Sequence, residues 1–376
     1  MRNMPIWNGQ NGFKVEMSQR SLLSSKRWRH FIILGVVVTL LASCSPNADT
    51  ITVTQTSPQQ TILDKTATPT PTERPTPTPT TAPLGTDANP ITMGFILNPE
   101  DNTAMEAAED VAFLISGDSG YSIRSVFYPD FQSYATDAIN EKVHLLWLLP
   151  LEYLFLHQQG AADALVMTNH LGVYAYGVQF LANANRGFRT YYDPDLNQST
   201  GSALEALQQF AGTKPCYIND HSTPGYFVPS GLLTVTSTPT LDPVFTQGYS
   251  AIIRALYIEG ICDFGVTYAL TGDPRSASDV IQDLNDVRDR VVVVWQSEGI
   301  IPNLSISTTS NVPENVRFNI QEAIINIPSH SEGLVLLSTA LNYDIQALKE
   351  VSDSFYNSFR EVIFPLELDL KAVTQD

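Results

Sequence analysis

Residues 68–83 read Thr-Pro-Thr-Pro-Thr-Glu-Arg-Pro-Thr-Pro-Thr-Pro-Thr-Thr-Ala-Pro, and this tract decides which part of the chain can build a core. Proline at alternate positions removes backbone donors and fixes φ, so helix and sheet are both excluded and an extended polyproline II course is favoured. The surrounding residues 45–90 are also polar and rich in Thr, Ser and Pro. At about 3.1 Å per residue such a tract is a spacer that holds a domain tens of ångströms from its attachment point. Its threonines are also candidates for O-linked sugar. Folded structure is therefore expected only from Pro90 to Asp376, which is enough chain for two ordinary domains.

Upstream of the spacer, Lys26-Arg27-Trp28-Arg29-His30 precedes the charge-free run Phe31 to Leu41, followed by Ala42-Ser43-Cys44. The apolar run is too short to span a hydrocarbon core of about 30 Å as a helix, which takes about 20 residues. A basic start, a short apolar centre and small residues before a cysteine form a bacterial lipoprotein signal. Cleavage is expected before Cys44, whose thiol would carry the diacylglycerol. A retained signal anchor and an ordinary secretory signal are the competing readings. Translation from Met17 instead of Met1 would leave the signal intact.

Six of the 21 basic residues and one of the 39 acidic residues precede Cys44, leaving 15 and 38 and a formal charge of −23. Such a surface repels nucleic acid and anionic lipid, so membrane attachment is assigned to the lipid and no nucleic-acid partner is expected. With Cys44 lipidated, Cys216 and Cys262 remain as an even pair in an exported, disulfide-permissive compartment.

Past Pro90 the pattern alternates between strand and helix. Strands are expected at 91–96, 121–127 and 143–149, and helices at 104–114, 131–140 and from 151 to 158. Residues 165–178 read as further strand. A second series has helix at 202–210, strand at 216–219 and a Ser-Thr-Pro-Gly turn leading into helix near Tyr226. Helix at 251–258, strand at 262–266, helix at 277–283 and strand at 290–295 follow. The tail shows helix-like stretches at 314–325, 345–350 and 355–362, and is expected to return to the first unit. Alternation of this kind implies α/β lobes with parallel sheets covered on both faces.

The segment Lys214-Pro215-Cys216-Tyr217-Ile218-Asn219-Asp220-His221-Ser222-Thr223-Pro224-Gly225-Tyr226 resembles the strand-to-helix ligand loop of phosphate/phosphonate-type ABC transporter binding proteins, Asp-Pro-x-Ser-Thr-Ser-Gly-Tyr. Three further segments are similar to that family, in the same order. Residues 130–153 resemble its Asp-Tyr segment, the following Trp-bearing strand and a Gly-Pro-x-x-Tyr turn, here Leu149-Pro150-Leu151-Glu152-Tyr153. Residues 251–265 resemble its Ala-rich helix and Gly-x-Val-Asp-Ala-Gly strand. Residues 295–303 resemble its Ser-x-x-Ile-Pro-Asn crossover. Together they cover essentially all of 91–327.

The resemblance implies two doubly wound α/β lobes joined by a two-strand hinge, the type 2 periplasmic-binding-protein arrangement. Lobe one would comprise 90–185 plus 303–361 and lobe two 186–302. A signal peptide at 1–43 and a linker at 44–89 would precede them, with a tail at 362–376. The hinge would lie near 183–190 and 295–304. It implies a lipid-anchored extracytoplasmic solute-binding protein of an ABC importer, monomeric, without cofactor, metal or catalytic residue. Whether the cell has one membrane or two decides between outer surface and periplasm. Ligand would be a small oxyanion bound by Ser222, Thr223, Gly225 and Tyr226, with Tyr128, Phe131, Tyr153, Tyr249 and Asp263 around it. Hydroxyls and unpaired amides at a helix start suit an oxyanion, although Ser-Thr-Pro-Gly is equally an ordinary helix cap. In the family's strand order Cys216 and Cys262 would lie on neighbouring strands, so a disulfide is expected, against the alternative of two buried thiols.

Four departures from the family pattern bear on the ligand. Pro224 stands in place of a second serine, Tyr249 in place of a ligand-contacting histidine, Phe131 in place of tyrosine and Leu149 in place of glycine. Fewer donors grip a doubly charged anion poorly. A different oxyanion, a larger apolar ligand and loss of phosphonate transport all follow from that. Two other classes stay open: a sensory module feeding a membrane receptor, and a secreted enzyme on a bilobal scaffold with Ser222 or Thr223 as nucleophile. His144, His157, His170, His221 and His330 show no metal-ligand spacing, and Walker, GxGxxG and Gly-x-Ser-x-Gly motifs are absent.

Overall fold

The computed structural model describes residues 82–374. The expected signal, the lipidated Cys44 and most of the linker lie outside them. Among the described residues the strands in chain order are β1 (Ile91–Ile96), β2 (Ile123–Tyr128), β3 (Leu145–Leu148), β4 (Asp163–Asn169), β5 (Ala175–Asn183), β6 (Tyr192–Asp193), β7 (Gln198–Ser199), β8 (Pro215–Tyr217), β9 (Val244–Phe245), β10 (Phe264–Ala269), β11 (Val291–Gln296), β12 (Ile301–Pro302), β13 (Ser305–Thr308) and β14 (Ala347–Glu350). They form one sheet in the order β14-β4-β13-β3-β1-β2 and a second in the order β11-β5-β10-β8-β9.

In the first lobe each of β1, β2 and β3 runs directly into a helix: α1 (Asn102–Ser119), α2 (Phe131–Ile139) and α3 (Pro150–Gln158). The helix starts are written in the sequence. Asp101 accepts from the Ala104 amide at 3.1 Å and Asp130 from the Ser133 amide at 2.7 Å, while Pro150 occupies the first turn of α3. Ile91, Met93 and Phe95 of β1 are sealed beneath α1, the helix Glu314–Asn326 and the helix Gly333–Leu341. In the second lobe α4 (Ala203–Leu207) precedes β8, α5 (Val228–Val235) follows it, and α6 (Tyr249–Ile258) precedes β10. Ile252, Ile253 and Leu256 of α6 pack on Leu181, Val291 and Val293.

The sheets are mixed, where all-parallel sheets were expected. β1 is parallel to β2 and β3, and β8 to β9 and β10, but β13 runs antiparallel to β3 and β4, and β5 antiparallel to β10 and β11. The reversed strands β5 and β13 are those that enter a lobe directly from the other one. The stretch expected as one strand at 165–178 is two, β4 and β5, in different sheets. Leu171 and Gly172, both at positive φ (50° and 87°), make the turn between them. The first crossing therefore lies at residues 170–174, not at the expected 183–190. Residues 345–350, expected as helix, hold β14, because pairing with the open edge of β4 outweighs the helix propensity of Gln, Ala, Leu, Lys and Glu.

The register fixes which sheet ends face the crossings. Leu148, the last residue of β3, lies opposite Ser305, just past one crossing. Ala269, the last residue of β10, lies opposite Gly177, just past the other. The carboxyl ends of β1–β3, β8 and β10 thus all point toward the junction of the lobes, where α/β folds place their ligands.

Candidate ligand site

On the second lobe the turn after β8 presents Ser222 as a helix cap, its Oγ accepting from the Gly225 amide at 3.1 Å. Tyr226 and Phe227 both donate to the Ser222 carbonyl, at 2.9 and 3.0 Å, so the first turn, Thr223–Phe227, is a wide π turn that runs on into α5. Pro224 has no N–H. The donors not used within the turn are consequently the Thr223 amide and the hydroxyls of Ser222 and Thr223, fewer than a whole helix start supplies.

Tyr249, the first residue of α6, lies beside this turn, near Ser222. Burial, offset in part by the Ser222 hydroxyl, pushes the phenol up to about 12, so it stays neutral across physiological pH. Its ring lies edge-on to Tyr268 at 4.9 Å. Tyr176, near the start of β5, interacts with both Tyr249 of the second lobe and Tyr343, which precedes β14 in the first, and burial raises its phenol well above the usual range. Tyr343 in turn stacks on His170 at 4.5 Å. Burial thus keeps the phenols of Tyr176, Tyr249 and Tyr343 neutral at physiological pH.

The other expected residues sit as follows. Tyr128 donates to Asp137 Oδ2 at 3.2 Å and packs on Tyr134 at 5.0 Å, and burial followed by the Asp137 charge pushes it up to about 12. Phe131 packs edge-on against Phe155 and Tyr134 in the interior of lobe one. Tyr153 is fully buried, donates to Asp353 Oδ1 at 2.7 Å and stacks on Tyr356 at 3.9 Å. Asp263 lies at the entry end of β10, away from the junction: it accepts from the Lys214 amide at 2.7 Å and pairs with Arg186. The strand runs from Asp263 toward the gap, so its carboxylate fastens the opposite rim of the sheet. Cys216 and Cys262 are joined by a disulfide with an S–S distance of 2.09 Å, linking β8 to the segment entering β10.

Sequence reasoning missed Tyr176, Tyr343 and Glu152. Glu152 lies in the first turn of α3, where its Oε2 accepts from the Leu149 amide at 2.7 Å, and burial pushes its carboxyl up to about 7. The Leu149-Pro150-Leu151-Glu152 spacing carries a capping signal for Glu152. Nothing local announces the two tyrosines, which come together only through the crossing. Among the described residues no cluster of three His, Cys, Asp or Glu side chains is placed to hold a metal ion.

Two mixed α/β lobes, crossed twice by the chain and opening at their strand ends onto a hydroxyl-lined junction, define a hinged solute-binding protein of the type 2 periplasmic kind. The family model for ABC transporter phosphonate periplasmic substrate-binding proteins matches residues 93–356, and the chain belongs to that family. XAC2383 from Xanthomonas citri, solved with chloride and also with ATP, is 12% identical with a TM-score of 0.51; the match to the chloride form covers 75% of this chain and 98% of that one. PhnD1 from Prochlorococcus marinus, solved with methylphosphonate, is 11% identical with a TM-score of 0.44, over 74% of this chain and 98% of that one. The likeness to XAC2383 is one of fold. A comparison with curated proteins found no match. The family comprises extracytoplasmic binding proteins that serve transport, with a small-molecule ligand and an ABC permease as partners. Among the described residues no helix is long and apolar enough to cross a membrane.

Proposed function

We propose that this chain is a lipid-anchored solute-binding protein that captures a small, phosphonate-like oxyanion between its lobes and presents the closed form to an ABC permease. The observation that carries this reading is the Ser222–Tyr249 pair. Two elements of lobe two, the turn after β8 and the first turn of α6, bring hydroxyls together at the junction beside the Thr223 amide. Hydroxyls and a helix-start amide stabilise an oxyanion without a metal or a formal positive charge. With three or four donors and Pro224 in the turn, the site suits a singly charged oxyanion better than a dianion. Ligand contacts from both lobes would favour the closed state. The chain performs no covalent step on its cargo. Diacylglycerol on Cys44 and the Thr/Pro tract would keep the lobes near the permease, in a monomer that needs no cofactor.

A thermal-shift screen of the protein against methylphosphonate, phosphate, phosphite and methanesulfonate tests the ligand class. A cognate ion at 100 times its dissociation constant stabilises by about 2.7 kcal/mol. The shift should disappear in the Ser222→Ala, Thr223→Ala double variant. If none of the four ions moves the melting temperature at millimolar concentration, the oxyanion reading falls. Fatty-acid labelling that survives Cys44→Ala would remove the anchor.

A further inference from the structure

Residues 353–366 touch both lobes, and the two contacts differ in kind. On lobe one the contact is polar and directional. Tyr153 Oη donates to Asp353 Oδ1 at 2.7 Å and His157 Nε2 stands 3.2 Å from the same carboxylate, while within the segment Arg360 Nη1 donates to Asp353 Oδ2 at 3.0 Å. Tyr356 stacks on Tyr153 at 3.9 Å, and its hydroxyl bonds Ser305 Oγ of β13 at 2.7 Å. Tyr153 and His157 belong to α3, so the segment is fastened to the helix and strand that flank the first-lobe side of the junction.

On lobe two the contact is apolar and nearly backbone to backbone. A Cβ built on Gly231 of α5 would lie 2.1 Å from the Val362 carbonyl oxygen and 2.7 Å from its Cγ1. Phe359, Val362 and Ile363 share one buried cluster with Val228 and Leu232 of α5 and with Leu154 and Leu156 of α3 in lobe one. α5 is the continuation of the Ser222 turn: the Val228 amide bonds the Thr223 carbonyl. The segment therefore bears on the helix that carries the ligand turn.

We propose that residues 353–366 are a strap across the lobes, held on lobe one by Asp353 and seated on α5 at Gly231, and that this seat sets how far the empty protein stands open. Hinge motion moves α5 relative to lobe one, so it must either break the polar anchor or shift Gly231 against Val362. Directional bonds to a half-buried carboxylate resist displacement, whereas an apolar surface with no side chain at its centre permits sliding. The anchor therefore stays with lobe one and α5 moves over Val362. Glycine is required at 231 because any side chain there would meet a carbonyl that cannot rotate away.

The test needs no ligand, so its outcome is independent of the oxyanion reading. Azide-bearing residues placed at the exposed positions Gln132 (lobe one) and Asp242 (lobe two) of the full chain accept a dye pair, and energy transfer reports the interlobe distance. Gly231→Ala should shift the ligand-free distribution to longer distances. Asp353→Asn, which weakens the Arg360 and Tyr153 contacts at the other end of the strap, should broaden it while circular dichroism stays native. Asp353→Asn also serves alone if Gly231→Ala does not fold. Distributions that coincide with the parent's in every folded variant would overturn the proposal.

Discussion

The Leu149 amide donates to Glu152 Oε2 at 2.7 Å, which binds the carboxylate to the residue between β3 and α3. This bond lowers the pKa, but burial outweighs it and pushes Glu152 up to about 7, well above the usual carboxylate range. A group raised in the folded state binds its proton more tightly there than in the unfolded chain, so its contribution is fully present below about pH 4.5 and is lost as pH rises toward 7. The effect amounts to about 1–3 kcal/mol. Glu152→Gln keeps the acceptor and removes the charge. Urea unfolding should show the two proteins nearly equal at pH 5 and the glutamine variant more stable at pH 8. A constant difference between those pH values would show that Glu152 does not titrate in this range.

The Cys216–Cys262 disulfide closes a sequence separation of 46 residues that includes the Ser222 turn, α5 and α6. Loop-closure entropy for such a span predicts about 4 kcal/mol of stabilisation, and measured bridges commonly deliver about 2–4 kcal/mol. Replacing both cysteines by alanine should lower the unfolding free energy by that amount, read as a lower urea midpoint, and reductant should then have no further effect. An unchanged midpoint would place the constraint elsewhere.

How much of this was legible in the sequence depended on the range of the interaction. β1 to α3 could be read residue by residue because apolar periodicity and the caps at Asp101 and Asp130 are local. The Ser222 turn was legible for the same reason, as a cap followed by proline and glycine. The break between β4 and β5 was not, since it rests on Leu171 at positive φ, a conformation leucine does not advertise. β14 was hidden because its helix-forming residues are held extended by β4. Asp263 showed the limit of reading a strand end without its direction: the residue type was informative, but only the pairing of Phe264 with Pro215 reveals which rim it occupies. The Tyr176–Tyr249–Tyr343 grouping involves residues from a crossing strand and both lobes, and no window of sequence contains it.

Gly225 is the tightest point of the ligand turn. A Cβ there would lie 2.2 Å from Ile218 Cγ2 and 2.9 Å from Ser222 Oγ. Gly225→Ala therefore forces the Ser222 hydroxyl and the Ile218 side chain apart, with an overpacking cost of about 1–3 kcal/mol. The expected phenotype is a lower melting temperature together with loss of any oxyanion-induced shift. Retention of a full ligand shift in a destabilised Gly225→Ala protein would mean that Ser222 does not hold the ligand.

Tyr249 stands where the family resemblance leads one to expect histidine, and its neutrality has a functional consequence. Raised to about 12 by burial, the phenol offers a hydrogen bond but no charge at any physiological pH, so affinity for an oxyanion should be nearly flat between pH 6 and 8. Tyr249→His introduces a ring that titrates near pH 6.5 when unperturbed. A charge-assisted bond exceeds a neutral one by about 1 kcal/mol, roughly fivefold in affinity. Calorimetric titration with methanesulfonate, which stays a monoanion throughout this range, should then show the histidine variant binding more tightly at pH 6 than at pH 8, against a pH-independent parent. Equal affinities for the variant at both pH values would mean that the first residue of α6 does not face the bound anion, and the site would have to be redrawn around the Thr223 amide alone.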